Sequence, residues 1–360
     1  MKNTVIEDFR DGDWLFTCRH TYEDELCSQL LNRGVAAQVA LSGLVRVPLK
    51  SLVGLEDPLT VTDVSYALQV MPEVTLAHGV SVKRLAYAIA DQLAAFVDGV
   101  QEPWSIHVIV PGQLRGNPKP PMKRRAVLLL SAVVDRLTQI RRRAMRHYQQ
   151  QCEAPTRLVQ LFVCDLETVA VSVARPRTTE VGGLWPSAMP AGLADVQDDS
   201  AAPASSYRKL EEALACMNSR PERGEHGVDV GACPGGWSQV LLRYGASVDA
   251  VDRQPLAAHL VRHKRLRFFR ADAFDWSPDT PVDWWVSDVV AYPDRILEMV
   301  ARVSEEIRPR FAVIQMKFRG PPDHDAVRDA LTSLRQAGYG ARARHFFNDK
   351  NEVTLMAVLR

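Results

Sequence analysis

Residues Val228–Trp237 read Val-Asp-Val-Gly-Ala-Cys-Pro-Gly-Gly-Trp, and no other stretch restricts the fold of this chain as tightly. His226 to Val230 predicts a short buried strand. Gly231, Gly235 and Gly236 break that pattern, and Trp237-Ser-Gln-Val-Leu-Leu opens an amphipathic helix. A strand that runs through a glycine-rich turn into a helix is the first unit of a nucleotide-binding α/β domain. Glycine permits the sharp turn and lets a ligand approach the main chain. The spacing is G-x-x-x-G-G with Pro234 inside, whereas dinucleotide sites need G-x-G-x-x-G. It suits a nucleoside ligand without a pyrophosphate and argues against a nicotinamide-dependent oxidoreductase.

The residues that follow continue the alternation. Ser247–Val251 predicts a second strand ended by Asp252, 21 residues past Gly231, where an acid can hold a ribose diol. Arg267–Phe269 predicts a third, and Asp272 in the next turn can accept from an adenine amino group. Trp284–Ser287 ends in Asp288 and Phe311–Met316 ends in Lys317. Asp323–Gln336 reads as a helix, and Ala341–Phe346 with Val353–Val358 as a terminal antiparallel pair whose last strand Glu352 opens. Upstream, Ser205–Met217 predicts a helix capped by Ser205 or Ser206, with Lys209 one turn in.

Four charges, Lys209, Asp288, Lys317 and Glu352, are far apart in sequence, yet three of them abut apolar runs that read as central strands. In open α/β sheets ligands sit beyond the carboxyl ends of the strands, where Asp288 and Lys317 are expected. A lone charge beside a buried strand is costly unless it is paired. Two lysines and two acids can form one neutral cluster, and such clusters mark functional sites. The plainer alternative is four unconnected surface charges.

The first half is built differently. Trp14–Arg19, Tyr22–Arg33 and Ala36–Pro48 predict strand, helix and a pair of extended segments, an α/β module to about residue 72. From Glu73 the pattern restarts: a strand at Leu76–His78, a helix over Ser81–Val97 and a strand over Ser105–Val110. A loop, Gly112–Pro121, and a long helix from Met122 to Gln151 follow. That helix carries an apolar stripe of Val127, Leu130, Val133, Val134, Leu137 and Ile140, and Leu158–Cys164 with Thr168–Val173 predicts a hairpin. Between Gln113 and His147 ten Lys/Arg face one acid, leaving about −8 for the rest of a chain whose net charge is +1. A basic patch on an otherwise acidic molecule points to a polyanion. Arg115, Lys119, Lys123, Arg124, Arg125, Arg141, Arg142 and Arg143 are the candidate contacts to it, against the alternative of a solvated helix face. Residues 176–204, with two adjacent glycines, several prolines and an Ala/Ser/Asp-rich run, read as a linker.

Six cysteines stand without CxxC pairs, so neither zinc nor a disulfide framework is expected. The longest apolar run, Ala126–Val134, is too short for a membrane span, and the first residues lack the apolar core of a signal peptide. A cytoplasmic protein is expected.

The segment Asp229–Ser238 closely resembles motif I of the S-adenosylmethionine-dependent RNA 2′-O-ribose methyltransferases, in which Pro-Gly-Gly-Trp-Ser/Thr follows Asp-x-Gly-Ala. The order Lys, Asp, Lys, Glu resembles the tetrad of that group. Lys209 falls in Ser-Tyr-Arg-Lys-Leu, Asp288 in Val-Ser-Asp-Val-Val, Lys317 in Gln-Met-Lys-Phe and Glu352 in Asn-Glu-Val-Thr. The resemblance covers Ser205–Arg360 closely and the whole chain in layout. It is nearest to the M family of bacterial large-subunit ribosomal RNA methyltransferases, although Phe-Arg-Gly-Pro-Pro after Lys317 departs from the lysine-rich continuation of relatives.

The resemblance implies an α/β fold: a C-terminal Rossmann-like domain (205–360) on a seven-stranded sheet with an antiparallel terminal strand. An N-terminal α+β half would precede it, a ferredoxin-like module (1–72) and a THUMP RNA-binding domain (73–175). S-adenosylmethionine would be held by Ser205, Gly231, Cys233, Pro234, Gly235, Gly236, Trp237, Asp252, Asp272 and Asp288. Lys317 would be the general base, with Lys209, Asp288 and Glu352 completing the catalytic set and no metal taking part. The substrate would be a cytidine in the peptidyl-transferase region of 23S rRNA, met before the ribosome is fully assembled, and the enzyme a monomer. A methyltransferase of the same type acting on another RNA, or a non-catalytic RNA-binding protein with a vestigial nucleotide fold, are the alternatives.

Overall fold

The computed structural model describes residues 9–113 and 120–360. They divide into two compact units. The first takes the chain up to Arg177 together with Leu184–Leu193; the second takes Thr178–Gly183 and Ala194–Arg360.

The first unit holds two four-stranded sheets. β1 (Trp14–Thr17), α1 (Glu23–Asn32), β2 (Gln38–Leu41), β3 (Leu44–Val47), α2 (Pro58–Val61) and β4 (Gln69–Met71) come first, and their strands pair antiparallel in the order β2-β3-β1-β4. Next come β5 (Thr75–His78), α3 (Val82–Val97), β6 (Trp104–Ile109), α4 (Pro120–Ile140), β7 (Arg157–Val163) and β8 (Thr168–Ala174), in the order β5-β8-β7-β6. Only β6 and β7 run parallel.

Strand pleating decides what each face buries. Val159, Leu161 and Val163 of β7 point at α3 and α4, joining Leu85, Ile89 and Leu93 with Leu129, Val133 and Leu137. Phe162 points the other way, into a core with Leu15, Leu44 and Met71 of the first sheet. The buried Gln160 reinforces that junction, its Nε2 donating to the Val70 carbonyl at 2.7 Å.

The helix expected over Met122–Gln151 stops at Ile140, and Ala144–His147 is a separate 3-10 turn. Tertiary partners override the periodicity here. The buried Trp104 Nε1 takes the Ala144 carbonyl at 3.1 Å, and Arg141 Nε donates to the Ala94 carbonyl at 3.1 Å. The apolar stripe is also shifted: Leu129, Val133 and Leu137 are buried, whereas Val127 and Leu128 face solvent.

Within 176–204, β9 (Arg177–Thr178) and β10 (Leu184–Trp185) are short extended pieces. Leu184–Leu193 packs with the first unit: Trp185 Nε1 donates to the Leu59 carbonyl at 3.2 Å, and Ala191 is fully buried.

The second unit is Rossmann-like. In chain order it comprises α5 (Tyr207–Met217), β11 (His226–Val230), α6 (Gly236–Tyr244), β12 (Ser247–Val251), α7 (Ala258–Val261), β13 (Leu266–Phe269) and β14 (Trp284–Ser287). α8 (Pro293–Arg302), β15 (Phe311–Lys317), α9 (His324–Gln336), β16 (Tyr339–Arg344) and β17 (Glu352–Leu359) complete it. The seven-stranded sheet runs β13-β12-β11-β14-β15-β17-β16. Its first five strands are parallel, and β17, last in sequence, inserts antiparallel between β15 and β16. Runs such as Trp284-Trp-Val and Phe311-Ala-Val-Ile are apolar without alternation because both faces are covered by helices. Strand order reverses between β11 and β14, which opens a crevice at their carboxyl ends.

Candidate active site

Each of the four separated charges reaches the crevice for a local reason. Asp288 is the first residue after β14, Lys317 the last of β15, and Glu352 the first of β17. Antiparallel register sets Lys317 directly opposite Glu352. Lys209 sits in the first turn of α5, whose Leu210, Ala213 and Leu214 are buried in the same core as Met356 of β17.

They form one connected cluster. Lys209 Nζ lies 2.6 Å from Glu352 Oε1 and 3.3 Å from Asp288 Oδ1. Lys317 Nζ lies 2.8 Å from Asp288 Oδ1 and donates to the Asp288 carbonyl at 2.6 Å. Burial works against charge on Lys209, but the attraction of Asp288 and Glu352 outweighs it and holds the ammonium above the usual lysine range. The two lysines differ in access, with side chains 11% and 21% exposed for Lys209 and Lys317 respectively. The more open of them is Lys317.

The glycine loop lies beside this cluster. Gly231 has φ +76°, and a Cβ there would fall 2.9 Å from the Val289 Cα, so only glycine fits against the residue after Asp288. Across the loop, the Cys233 N–H donates to Asp252 Oδ2 at 2.9 Å and the Gln254 N–H to Oδ1 at 2.8 Å. Each carboxylate oxygen keeps acceptor capacity for a diol. Asp272 accepts from the Phe274 N–H at 2.9 Å and pairs with Arg253, which together hold its carboxyl below the usual range. Cys233 is exposed, but partial burial and then the Asp252 charge raise its thiol, so it remains protonated at neutral pH. Pro234 contributes its carbonyl to the Ala257 N–H at 3.0 Å, and Gly235, with φ +115°, is the residue immediately before α6.

Trp237, Ser205 and Ser206 make contacts that their sequence does not announce. The Trp237 side chain is buried, and its Nε1 donates to the Ser206 carbonyl at 2.8 Å, tying α6 to the start of α5. Ser206 is the residue before α5 but makes no side-chain capping bond, and the exposed Ser205 gives only its carbonyl to the Arg208 N–H. The Ser206 hydroxyl faces Gly236 instead, where a Cβ would meet it at 2.8 Å.

Three buried acids were not singled out in the sequence. Asp229 was visible as a polar residue between valines in a strand; it accepts from the Ser238 hydroxyl at 2.6 Å, and its Oδ1 is buried without a partner among the described residues. Asp349 accepts from the Phe346 N–H at 2.9 Å and the Thr354 hydroxyl at 3.0 Å. Burial and then the Glu352 charge push it well above the carboxylate range. Glu212 accepts from the N–H groups of Phe347 and Asn348. Asp349 and Glu212 together fix the turn that delivers Glu352, whose Oε1 also accepts from the Lys350 N–H at 3.0 Å. A run such as Phe-Asn-Asp-Lys-Asn reads only as a polar turn until its partners are known.

Burial, opposed by Ser238 and reinforced by the charges of Asp288 and Asp252, raises the Asp229 pKa from 3.8 to about 7. A carboxyl raised on folding contributes stability that is complete below pH 3.8 and lost as pH climbs through 7. Asp229→Asn keeps an acceptor for Ser238 and does not ionise. Relative to the parent it should gain roughly 2–3 kcal/mol more at pH 8 than at pH 5. Urea unfolding at the two pH values measures this, and equal differences would remove the buried carboxyl as the cause.

In the first unit the basic candidates divide. Arg115 and Lys119 lie outside the described residues. Lys123, Arg124, Arg142 and Arg143 are exposed. Arg125 is bound to the Leu166 carbonyl, and Arg141 to the Ala94 carbonyl and, at 2.9 Å, to Asp98. No helix among the described residues is long and apolar enough to cross a membrane.

Residues 204–332 match the family described as FtsJ-like methyltransferase. The chain is 38% identical over 176 residues to Ribosomal RNA large subunit methyltransferase M of Halorhodospira halophila, covering 48% of this chain and 51% of that one. It is 34% identical over 215 residues to the protein of the same name from Laribacter hongkongensis, covering 56% and 59%. The chain thus spans about half the length of the curated relatives it matches. A solved 1,6-didemethyltoxoflavin-N1-methyltransferase of Burkholderia thailandensis overlaps 43% of this chain and 78% of its own, at 18% identity and a TM-score of 0.33.

Proposed function

We propose that this chain is an S-adenosylmethionine-dependent 2′-O-ribose methyltransferase that modifies a cytidine in the peptidyl-transferase region of 23S rRNA, with Lys317 as general base. The observation that carries this reading is the Lys209–Asp288–Lys317–Glu352 cluster beside the glycine loop at the point where strand order reverses. The FtsJ-like match and the names of the relatives support methyl transfer and large-subunit ribosomal RNA as the substrate class.

The residues present suit the cofactor. Asp252 offers free acceptor capacity to a ribose diol, Asp272 in the turn after β13 would meet the adenine, and Asp288 would face the methionine end. The side-chain-free Gly231 allows close approach of a ligand to the main chain. When bound, S-adenosylmethionine supplies an electrophilic methyl group on a sulfonium centre.

The chain must then remove a proton from a ribose 2′-hydroxyl, a poor nucleophile at neutral pH. Once its ammonium has released a proton to solvent, a lysine amine has two N–H donors and one lone pair. The two contacts from Lys317 Nζ to Asp288 use both donors and leave the lone pair for the hydroxyl proton. On taking the proton, Lys317 brings the cluster to two cations against two carboxylates. Lys209, held as ammonium by Asp288 and Glu352, keeps Asp288 oriented throughout. Positioning by the cluster supplies much of the remaining advantage. In this reading the enzyme acts as a cytoplasmic monomer before ribosome assembly is complete. A THUMP-like first unit would use Lys123, Arg124, Arg142 and Arg143 to meet phosphates.

Labelled methyl transfer to an unmodified 23S rRNA transcript tests the proposal, with the product expected as 2′-O-methylcytidine. Absence of transfer, or methylation on a base, overturns it. In the same preparation Asp252→Ala should weaken S-adenosylmethionine binding by about 1–3 kcal/mol through loss of a charged acceptor. Calorimetry that finds the affinity unchanged would remove Asp252 from the cofactor site.

A further inference from the structure

Asp288 follows β14 and Lys317 ends β15, and a surface pair joins the two loops just beyond those residues. Tyr292 lies four residues past Asp288 and Arg319 two past Lys317. The Arg319 guanidinium lies over the Tyr292 ring, 4.3 Å from its centroid, and Nη1 donates to the Tyr292 hydroxyl at 2.6 Å. The ring nonetheless remains 55% exposed, and Val290 in the same loop is 74% exposed. Among the described residues of the second unit, these two stand with Val261 as the large apolar side chains open to solvent.

An aromatic ring oriented by a guanidinium, with an apolar neighbour, has the chemistry of a stacking surface for a base of single-stranded nucleic acid. Its place matters as much as its composition. The ring stands on the loop that Asp288 opens after β14, and the guanidinium on the loop after Lys317, the last residue of β15 and the one that must meet a ribose hydroxyl. Where the nucleotide presented to Lys317 belongs to a single strand, its unstacked base is free to rest on an aromatic face beside the lysine.

We propose that Tyr292, held by Arg319, is a substrate-binding residue that stacks on a base of single-stranded RNA at the entrance to the Lys317 site. This rests on the methyltransferase reading given above. It adds a binding surface on the catalytic unit itself, distinct from the basic residues of the first unit.

The test uses the full chain, labelled S-adenosylmethionine and an unmodified 23S rRNA transcript. Tyr292→Ala should lower kcat/KM for RNA by roughly five- to a hundredfold, mainly through KM, the effect expected of one lost base–aromatic stack. S-adenosylmethionine affinity and thermal stability should stay at parental values, because the ring is exposed and makes no capping bond to α8. Tyr292→Trp should recover most of the loss, since any flat ring can stack, and Arg319→Ala should give a smaller loss of the same kind. A Tyr292→Ala variant with parental kcat/KM overturns the platform while leaving the enzyme assignment intact. So does a Tyr292→Trp variant as impaired as Tyr292→Ala. No transfer by the parental chain overturns both.

Discussion

Lys317→Ala should reduce single-turnover methyl transfer by roughly 10²–10⁴-fold at saturating S-adenosylmethionine and RNA, the usual share of a positioned general base. Lys317→Arg should fail equally, because a guanidinium does not give up its proton under these conditions. Neither change should unfold the protein. Lys317 is the most open of the four clustered side chains, and Asp288 retains Lys209 as a partner when it is gone. Cofactor affinity measured by calorimetry should stay close to the parental value, which separates loss of chemistry from loss of binding. Rates near normal in Lys317→Ala would sink the base assignment. Lys209 would not be an attractive replacement, since two carboxylates hold it as ammonium.

The second large effect is on stability. Lys209→Ala removes the cation that lies 2.6 Å from Glu352, a side chain only 4% exposed. A buried carboxylate left without its counter-charge typically costs about 3–5 kcal/mol. The loss should appear in denaturant unfolding of the second unit and should be partly restored by adding Glu352→Gln, which removes the stranded charge. The pH dependence follows from the direction of the lysine shift. The folded ammonium is held above its ordinary value, so its contribution is complete below about 10.5 and fades only as pH rises through the elevated value. On the lysine's account, the penalty should therefore be the same at pH 6 and pH 9. A substitution without effect on stability would mean that Glu352 finds another partner, and the cluster would not be the closed unit described above.

These two residues also mark how far reading the chain alone can go. Strand ends were legible because buried parallel strands are written as uninterrupted apolar runs and charged residues terminate them. β12 and β14 fall at Ser247–Val251 and Trp284–Ser287, as their residues indicate. The glycine turn was legible because Gly231 fills a position where a side chain would strike Val289. Sequence order likewise named Lys209, Asp288, Lys317 and Glu352 as candidates, since lone charges against apolar runs are conspicuous.

What local pattern does not carry is the identity of distant partners. The end of α4 at Ile140 depends on Trp104, about forty residues away in the chain, reaching the Ala144 carbonyl. Trp237 was legible as the start of a helix, but its burial against Ser206 was not. Asp349 and Glu212 look like ordinary polar residues until the fold closes around them and makes them the supports of the turn before Glu352. The pairing of Tyr292 with Arg319 likewise exists only because β14 and β15 are neighbours in the sheet. The sequence by itself determined the glycine-rich turn, the succession of strands and the four charges at their ends, because these follow from short-range periodicity and solvation. Only the tertiary structure decided which lysine is enclosed by two carboxylates and which stands more open, because that depends on the antiparallel insertion of β17 beside β15 and on α5 packing over it.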